Sequence, residues 1–86
     1  ILHINAGHRL SKQYHNVKEE TLYVLAGTLC NYADSGEIQR FHPGEVFHVE
    51  PGQIHRFGAL ENNVEVVEVS TPHLDDVVRL DDDYTR

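Results

Sequence analysis

The sequence predicts an all-β fold, a small sandwich or barrel. Three observations carry that expectation. No segment shows the apolar period of a long helix. Short apolar stretches rich in Val, Ile, Tyr and Phe recur, each closed by Gly, Pro, Asn or Asp. The chain is 86 residues long, room for one domain. A chain of this size buries only about 60–65% of the surface it exposes when unfolded, so its core is marginal. Help from a bound metal or a second copy is therefore expected.

Taken in order, residues 1–5 form a first strand, closed by Asn5, Ala6 and Gly7. Residues 9–15 alternate unusually: Leu10, Lys12 and Tyr14 share one face, and Arg9, Ser11, Gln13 and His15 the other. That second face is wholly polar, so it meets solvent or lines a wet cavity. Residues 16–19 are a polar connection. Glu20–Ala26 is apolar on both sides, Leu22 and Val24 on the Glu20 side and Tyr23 and Leu25 on the other. Such a strand sits inside a sandwich or has its outer face covered by a partner subunit. Gly27 breaks it.

Residues 28–33 and 37–41 form a hairpin around Asp34, Ser35 and Gly36. His42, Pro43 and Gly44 make the next turn, before the short β-rich stretch Val46–Val49. Pro51 and Gly52 turn the chain into a strand over 54–57, and Glu61, Asn62 and Asn63 turn it again. Val64–Ser70 alternates Val64, Val66 and Glu68 against Glu65, Val67 and Val69. Thr71 and Pro72 end the sheet region. By composition alone the acidic tail, 73–86, is solvated or loosely docked.

The formal charge of −7 and a pI near 5.3 argue against nucleic acid and anionic membrane as partners. Cys30 is the one cysteine, so no intrachain disulfide forms, and a reducing cytoplasm is the simpler setting. No apolar run reaches the roughly 18–20 residues that span a bilayer. The chain contains no Met and its first residues already read as a strand, so we expect the natural chain to start further upstream.

One constellation carries chemistry. Gln13 and His15 are two apart and project the same way from a strand; Glu20 follows across a short turn; His55 stands three residues after Gly52. Two imidazoles, one carboxylate and one amide oxygen make a mixed N/O donor set. It suits Zn²⁺, Mn²⁺, Fe²⁺, Co²⁺ or Ni²⁺, with zinc first, and not a thiolate site. One carboxylate against a divalent ion leaves the site near +1, suited to holding an alkoxide or enediolate oxygen. Each residue also has an ordinary reading: Gln13 and His15 as surface residues, Glu20 as a solvated strand start, His55 as a satisfied core histidine. The four together, with glycines at fixed offsets, favour the metal.

These residues resemble the two motifs of the cupin superfamily. The first reads Gly7, Gln13-Tyr14-His15, Glu20, Gly27; the six residues before Gly27 select Glu20 over Glu19. The second reads Gly44, Glu50-Pro51-Gly52, His55, with the proline displaced by one and Ala59 where an Asn sometimes stands. Sixteen residues separate Gly27 from Gly44, a short inter-motif loop. The resemblance implies a small cupin-type β-barrel (double-stranded β-helix, jelly roll) over 1–86, with its core over about 1–70 and the tail 71–86 docking on the barrel.

Gln13 in place of the first His, Arg9-Leu10-Ser11 before it, His55-Arg56, and Val67, Val69 and Ser70 resemble the type II mannose-6-phosphate isomerase cupin domain. So does the tail run Leu74-Asp75-Asp76-Val77-Val78-Arg79-Leu80 with Asp82, Tyr84 and Arg86. The chain departs from that pattern at Lys18, Thr21, Leu22 and Thr85. The resemblance implies Gln13, His15, Glu20 and His55 as ligands of a divalent metal, a sugar-phosphate substrate, and interconversion of mannose 6-phosphate and fructose 6-phosphate. Arg79 is the first candidate for the phosphate and Lys18 the second; Arg9 is weaker, and Arg56 faces away from His55. His48 and Lys18 are candidates for the general base. Two other classes stay open: a module that holds metal or sugar phosphate without turnover, and another cupin metalloenzyme such as a dioxygenase. A cytoplasmic homodimer is expected.

Overall fold

Turn chemistry and alternation divide the chain into short antiparallel strands. The computed structural model describes residues 1–73 and 75–81. Among them nine strands form and no helix: β1 (Leu2–Ile4), β2 (Lys12–Tyr14), β3 (Glu20–Ala26), β4 (Leu29–Tyr32), β5 (Ile38–Phe41), β6 (Val46–Val49), β7 (Phe57–Gly58), β8 (Val64–Ser70) and β9 (Val78–Asp81). They make sheets of order β1-β8-β3-β6, β5-β4-β7 and β2-β9. This is the all-β barrel that the punctuation predicts.

The core lies between the sheets. Leu22 and Val24 of β3, Val64 and Val66 of β8, and Phe47 and Val49 of β6 supply one wall; Leu29 and Phe57 supply the other. Phe47 links the walls, with ring centroids 4.8 Å from Phe41 and 5.8 Å, edge-on, from Phe57. The outer side of β3 remains open within the chain: Tyr23 is 44% and Leu25 43% exposed. Its neighbours there are Val46 across to β6 and Val67 across to β8.

Gly27 ends β3 for two physical reasons. Its φ is +76°, and a Cβ would stand 2.2 Å from the carbonyl oxygen of Asn63. The chain therefore closes against the loop that leads into β8.

Two stretches differ from expectation. The strand predicted over 9–15 is regular only over Lys12–Tyr14, and Arg9 instead makes an isolated bridge with Gly58. A register shift between Lys12 and Gln13 breaks the alternation, so Leu10 and Gln13, predicted on opposite faces, border the same cavity. The strand predicted over 54–57 shrinks to Phe57–Gly58, with His55 bridged to Gln13. The acidic tail supplies β9, which pairs with β2 and sets Gln13 opposite Arg79. Leu74, Asp82, Tyr84, Thr85 and Arg86, singled out in the sequence, lie outside the described residues, as does any docking by 82–86.

Candidate metal centre

Strand alternation turns Glu20 inward with Leu22 and Val24, at the open end of the barrel. The backbones of Gln13 and His55 exchange hydrogen bonds of 3.0 and 2.9 Å, which brings the two histidine stretches together. The Pro51-Gly52 turn is tied on by the Gly52 N–H, which donates to the His15 carbonyl at 2.6 Å. His15, Glu20 and His55 are then 2%, 6% and 1% exposed, and one ligand atom of each lies within 4.8 Å of the others.

The protons on these rings follow from their partners. Nδ1 of His15 is 2.5 Å from the Asp76 carbonyl oxygen, and Nδ1 of His55 is 3.2 Å from the Gln53 carbonyl oxygen. A carbonyl only accepts, so each Nδ1 carries the hydrogen and each Nε2 of a neutral ring presents a lone pair. Burial lowers the His55 pKa, which keeps the neutral form below the ordinary imidazole range. His15 Nε2 stands 2.5 Å from Glu20 Oε1, yet the two are not aligned as donor and acceptor. A lone pair facing a carboxylate in a buried pocket asks for a cation between them. Fastening the far ring nitrogen to a carbonyl is also how metal-binding histidines are oriented. The donor set fits a divalent ion on this observation.

Gln13 lines the same cavity. Its Nε2 donates to Ser11 Oγ at 3.2 Å, which leaves the amide oxygen as the group to offer a cation. The cavity holds about 190 Å³ and is bordered also by Lys18, Glu68, Val77 and Arg79. Lys18, a turn residue by sequence, is mostly buried, with Nζ 3.8 Å from both Glu20 Oε1 and Glu68 Oε2. Arg79 reaches the rim from β9, opposite Gln13.

Two residues at the site escaped the sequence reading. Glu68 is a carboxyl facing the cavity, its pKa raised by burial first and then by the hydrogen bond and charge of Glu20. Its signal was present, since it shares a face of β8 with the buried Val64 and Val66. Asp76 is the other. Its carboxylate accepts from the backbone N–H groups of Asn16, Val17 and Lys18 at 3.0, 2.7 and 2.9 Å. These bonds, that of Val17 foremost, hold its pKa at about 2. Asp76 thus shapes the loop after His15 with its side chain while its carbonyl orients the His15 ring.

Other candidates fall outside the cavity. His48 points outward from β6 toward Glu19 and Glu50, because Phe47 and Val49 take the inward positions. Arg9 lies against Tyr32, 5.4 Å from the ring centroid. Arg56 is buried but does not border the cavity, and its Nε donates to the Leu10 carbonyl at 2.9 Å. Thr21 faces outward and Leu22 fills the core, so these two departures from the isomerase pattern do not touch the cavity.

A small antiparallel barrel with a buried His/Glu cluster at its open end defines a double-stranded β-helix protein with a candidate metal centre. The cupin domain family matches residues 1–70, and the chain belongs to that family. Over 68 residues it is 32% identical to quercetin 2,3-dioxygenase of Bacillus subtilis (strain 168), which is 79% of this chain and 20% of that enzyme. The chain therefore spans a fifth of the length of that relative. Among solved structures, a protein with a double-stranded β-helix domain from Klebsiella pneumoniae subsp. pneumoniae MGH 78578 superposes with a TM-score of 0.81 at 19% identity, covering 92% of this chain and 70% of that one. A sugar phosphate isomerase of the cupin superfamily from Silicibacter pomeroyi superposes with a TM-score of 0.70 at 22% identity, covering 80% and 46%. The same fold also carries a DMSP lyase and a polyketide cyclase. The fold by itself therefore selects no reaction.

Proposed function

We propose that this chain is a metal-dependent sugar-phosphate isomerase, similar to type II mannose-6-phosphate isomerase, with Gln13, His15, Glu20 and His55 holding a divalent ion. The observation that carries the reading is the pair of imidazoles fastened through Nδ1 to backbone carbonyls, with a buried carboxylate beside them. When bound, the ion supplies Lewis-acid polarisation of the sugar's carbonyl and hydroxyl oxygens. The chain's own residues supply the rest. Arg79 and Lys18, at the same cavity, bind the phosphate. Glu68 is the carboxyl within the cavity to take a proton from C2 and return one to C1 while the hydroxyl proton moves from O2 to O1. The sugar phosphate isomerase among the solved neighbours supports the substrate class.

The reading extends to a homodimer, supported by the exposed outer face of Tyr23, Leu25, Val46 and Val69, and to the cytoplasm, where the Cys30 thiol stays reduced. Metal analysis of the purified protein, followed by a coupled assay with mannose 6-phosphate and fructose 6-phosphate, tests it. Bound metal without isomerisation and without a substrate-induced melting shift overturns the enzyme and leaves a binding module. The match to quercetin 2,3-dioxygenase favours a second reading, a cupin dioxygenase. Oxygen uptake on loading with Fe²⁺ or another divalent ion would select it.

A further inference from the structure

The outer face of the same strand pair carries a second cluster. Among the described residues, two groups bring three His or carboxylate ligand atoms within 4.8 Å of one another: the buried set above, and Glu19, His48 and Glu50. His48 Nε2 lies 3.2 Å from Glu19 Oε1 and 3.2 Å from Glu50 Oε1. Its Nδ1 lies 2.8 Å from Thr21 Oγ1. The geometry points to a second, surface divalent-cation site, with His48, Glu19 and Glu50 as its ligands. It is independent of the buried centre and of the isomerase reading.

Three features argue for it. The strand register pairs Glu20 with Val49 and Thr21 with His48, and the carboxylates of Glu19 and Glu50, just beyond the paired residues, both converge on His48 Nε2. Like charges placed this way destabilise a sheet unless a cation separates them. The 3.2 Å spacings match those between adjacent ligands of an ion bound at about 2.0–2.2 Å. The Nε2 hydrogen of His48 is donated to Glu19 Oε1 while its Nδ1 accepts from the Thr21 hydroxyl, so the ring is already aimed at the carboxylates and a divalent ion takes the place of that one hydrogen.

The surroundings leave room for further ligands. The cluster borders an open depression of about 260 Å³ that also includes Ser70 and Thr71. Glu19 is steadied there, its N–H donating to Thr71 Oγ1 at 3.1 Å and its carbonyl accepting from the Thr71 N–H at 3.1 Å. Three protein donors with positions open to water make a site for a borderline metal such as Zn²⁺. Its exposure makes it weaker than the interior set.

Zn²⁺ titrated into the metal-free chain, read by calorimetry and equilibrium dialysis, tests the site. The wild type is expected to bind two equivalents and His48→Gln one. The double variant His15→Ala/His55→Ala is expected to keep one equivalent, lost when His48→Gln is added. His3→Gln, at another exposed imidazole facing one carboxylate, is expected to change nothing. If the interior binds no ion, His48→Gln removes all binding rather than half, so the two readings fail separately. Should the double variant not fold, NMR of the wild type serves instead: Zn²⁺ beyond one equivalent shifts the imidazole Nε2 signal that His48→Gln deletes. Wild-type stoichiometry and affinities in His48→Gln, or in Glu19→Gln/Glu50→Gln, overturn the proposal and leave a surface ion triad only.

Discussion

Glu19 and Glu20 are neighbours in the chain, and each faces histidine, yet they live in different physical worlds. Glu20 points inward beside His15 and His55, and all three are buried. Glu19 points outward beside His48 and Glu50, all three exposed. Both clusters draw on imidazole and carboxylate, two histidines to one carboxylate inside and the reverse outside. Burial separates them further, and so does the way the rings are held. Inside, both imidazoles are fastened by carbonyls that dictate their tautomer. Outside, one is fastened by a hydroxyl that accepts either tautomer. A β-strand thus sets two His/carboxylate clusters one residue apart, one buried and fixed, one exposed and adaptable.

The strongest way to break this comparison is to remove an interior ligand. Glu20→Ala or His55→Ala is expected to abolish tightly bound metal, because four donors are barely enough. Full interior occupancy in both variants, by metal analysis after dialysis, would place the centre elsewhere. Next in size is the core packing beneath the site. Leu22→Ala is expected to cost about 2–5 kcal/mol of stability in urea unfolding. A loss under about 1 kcal/mol would mean that Leu22 is not packed in the core.

Asp76→Ala is expected to weaken interior metal binding about 10–100-fold, with Asp76→Asn losing less, because the carboxylate that ties residue 76 to the loop after His15 is lost and its carbonyl is no longer held against the ring. Equal affinities in calorimetry would separate the loop from the centre. Asp76 also has a pH signature. Its folded pKa of about 2 lies below the ordinary 3.8. The stability it contributes is therefore complete above about pH 4 and disappears as pH falls toward about 2. Wild-type and Asp76→Ala stabilities should converge at that acid end. The smallest effect is on the outer face, where Tyr23→Ser is expected to cost about 1 kcal/mol or less in the isolated chain. Light scattering on the same variant reads the proposed dimer, and an unchanged dimer would move the interface off this face.

Much of this contrast is readable in the residues. The spacing to Gly27 picks Glu20 over Glu19, and Glu20 is the buried one, because Gly27 closes the strand against Asn63. The barrel itself follows from turn chemistry and alternation. What escapes reading is non-local. Nothing near Asp76 announces that its carboxylate will meet the amides of residues 16–18. Glu68 shows its face through Val64 and Val66, but only the pairing of β3 with β8 sets it beside Glu20 and Lys18. The slip at Lys12 and Gln13 leaves no compositional mark, so simple alternation misplaces Leu10.

The tie between His15 and Asp76 joins positions 61 residues apart, and that separation imposes an order in time. A ribosome emits the His15 loop long before the residue that orients it. The interior donors can gather early, but the ring of His15 is free to swing until Asp76 is delivered. Metal loading at the interior is thus expected to wait for the synthesis of Asp76. Stalled chains ending before Asp76 are expected to take up Zn²⁺ more slowly at the interior than chains extending past Asp81; equal rates would remove that dependence.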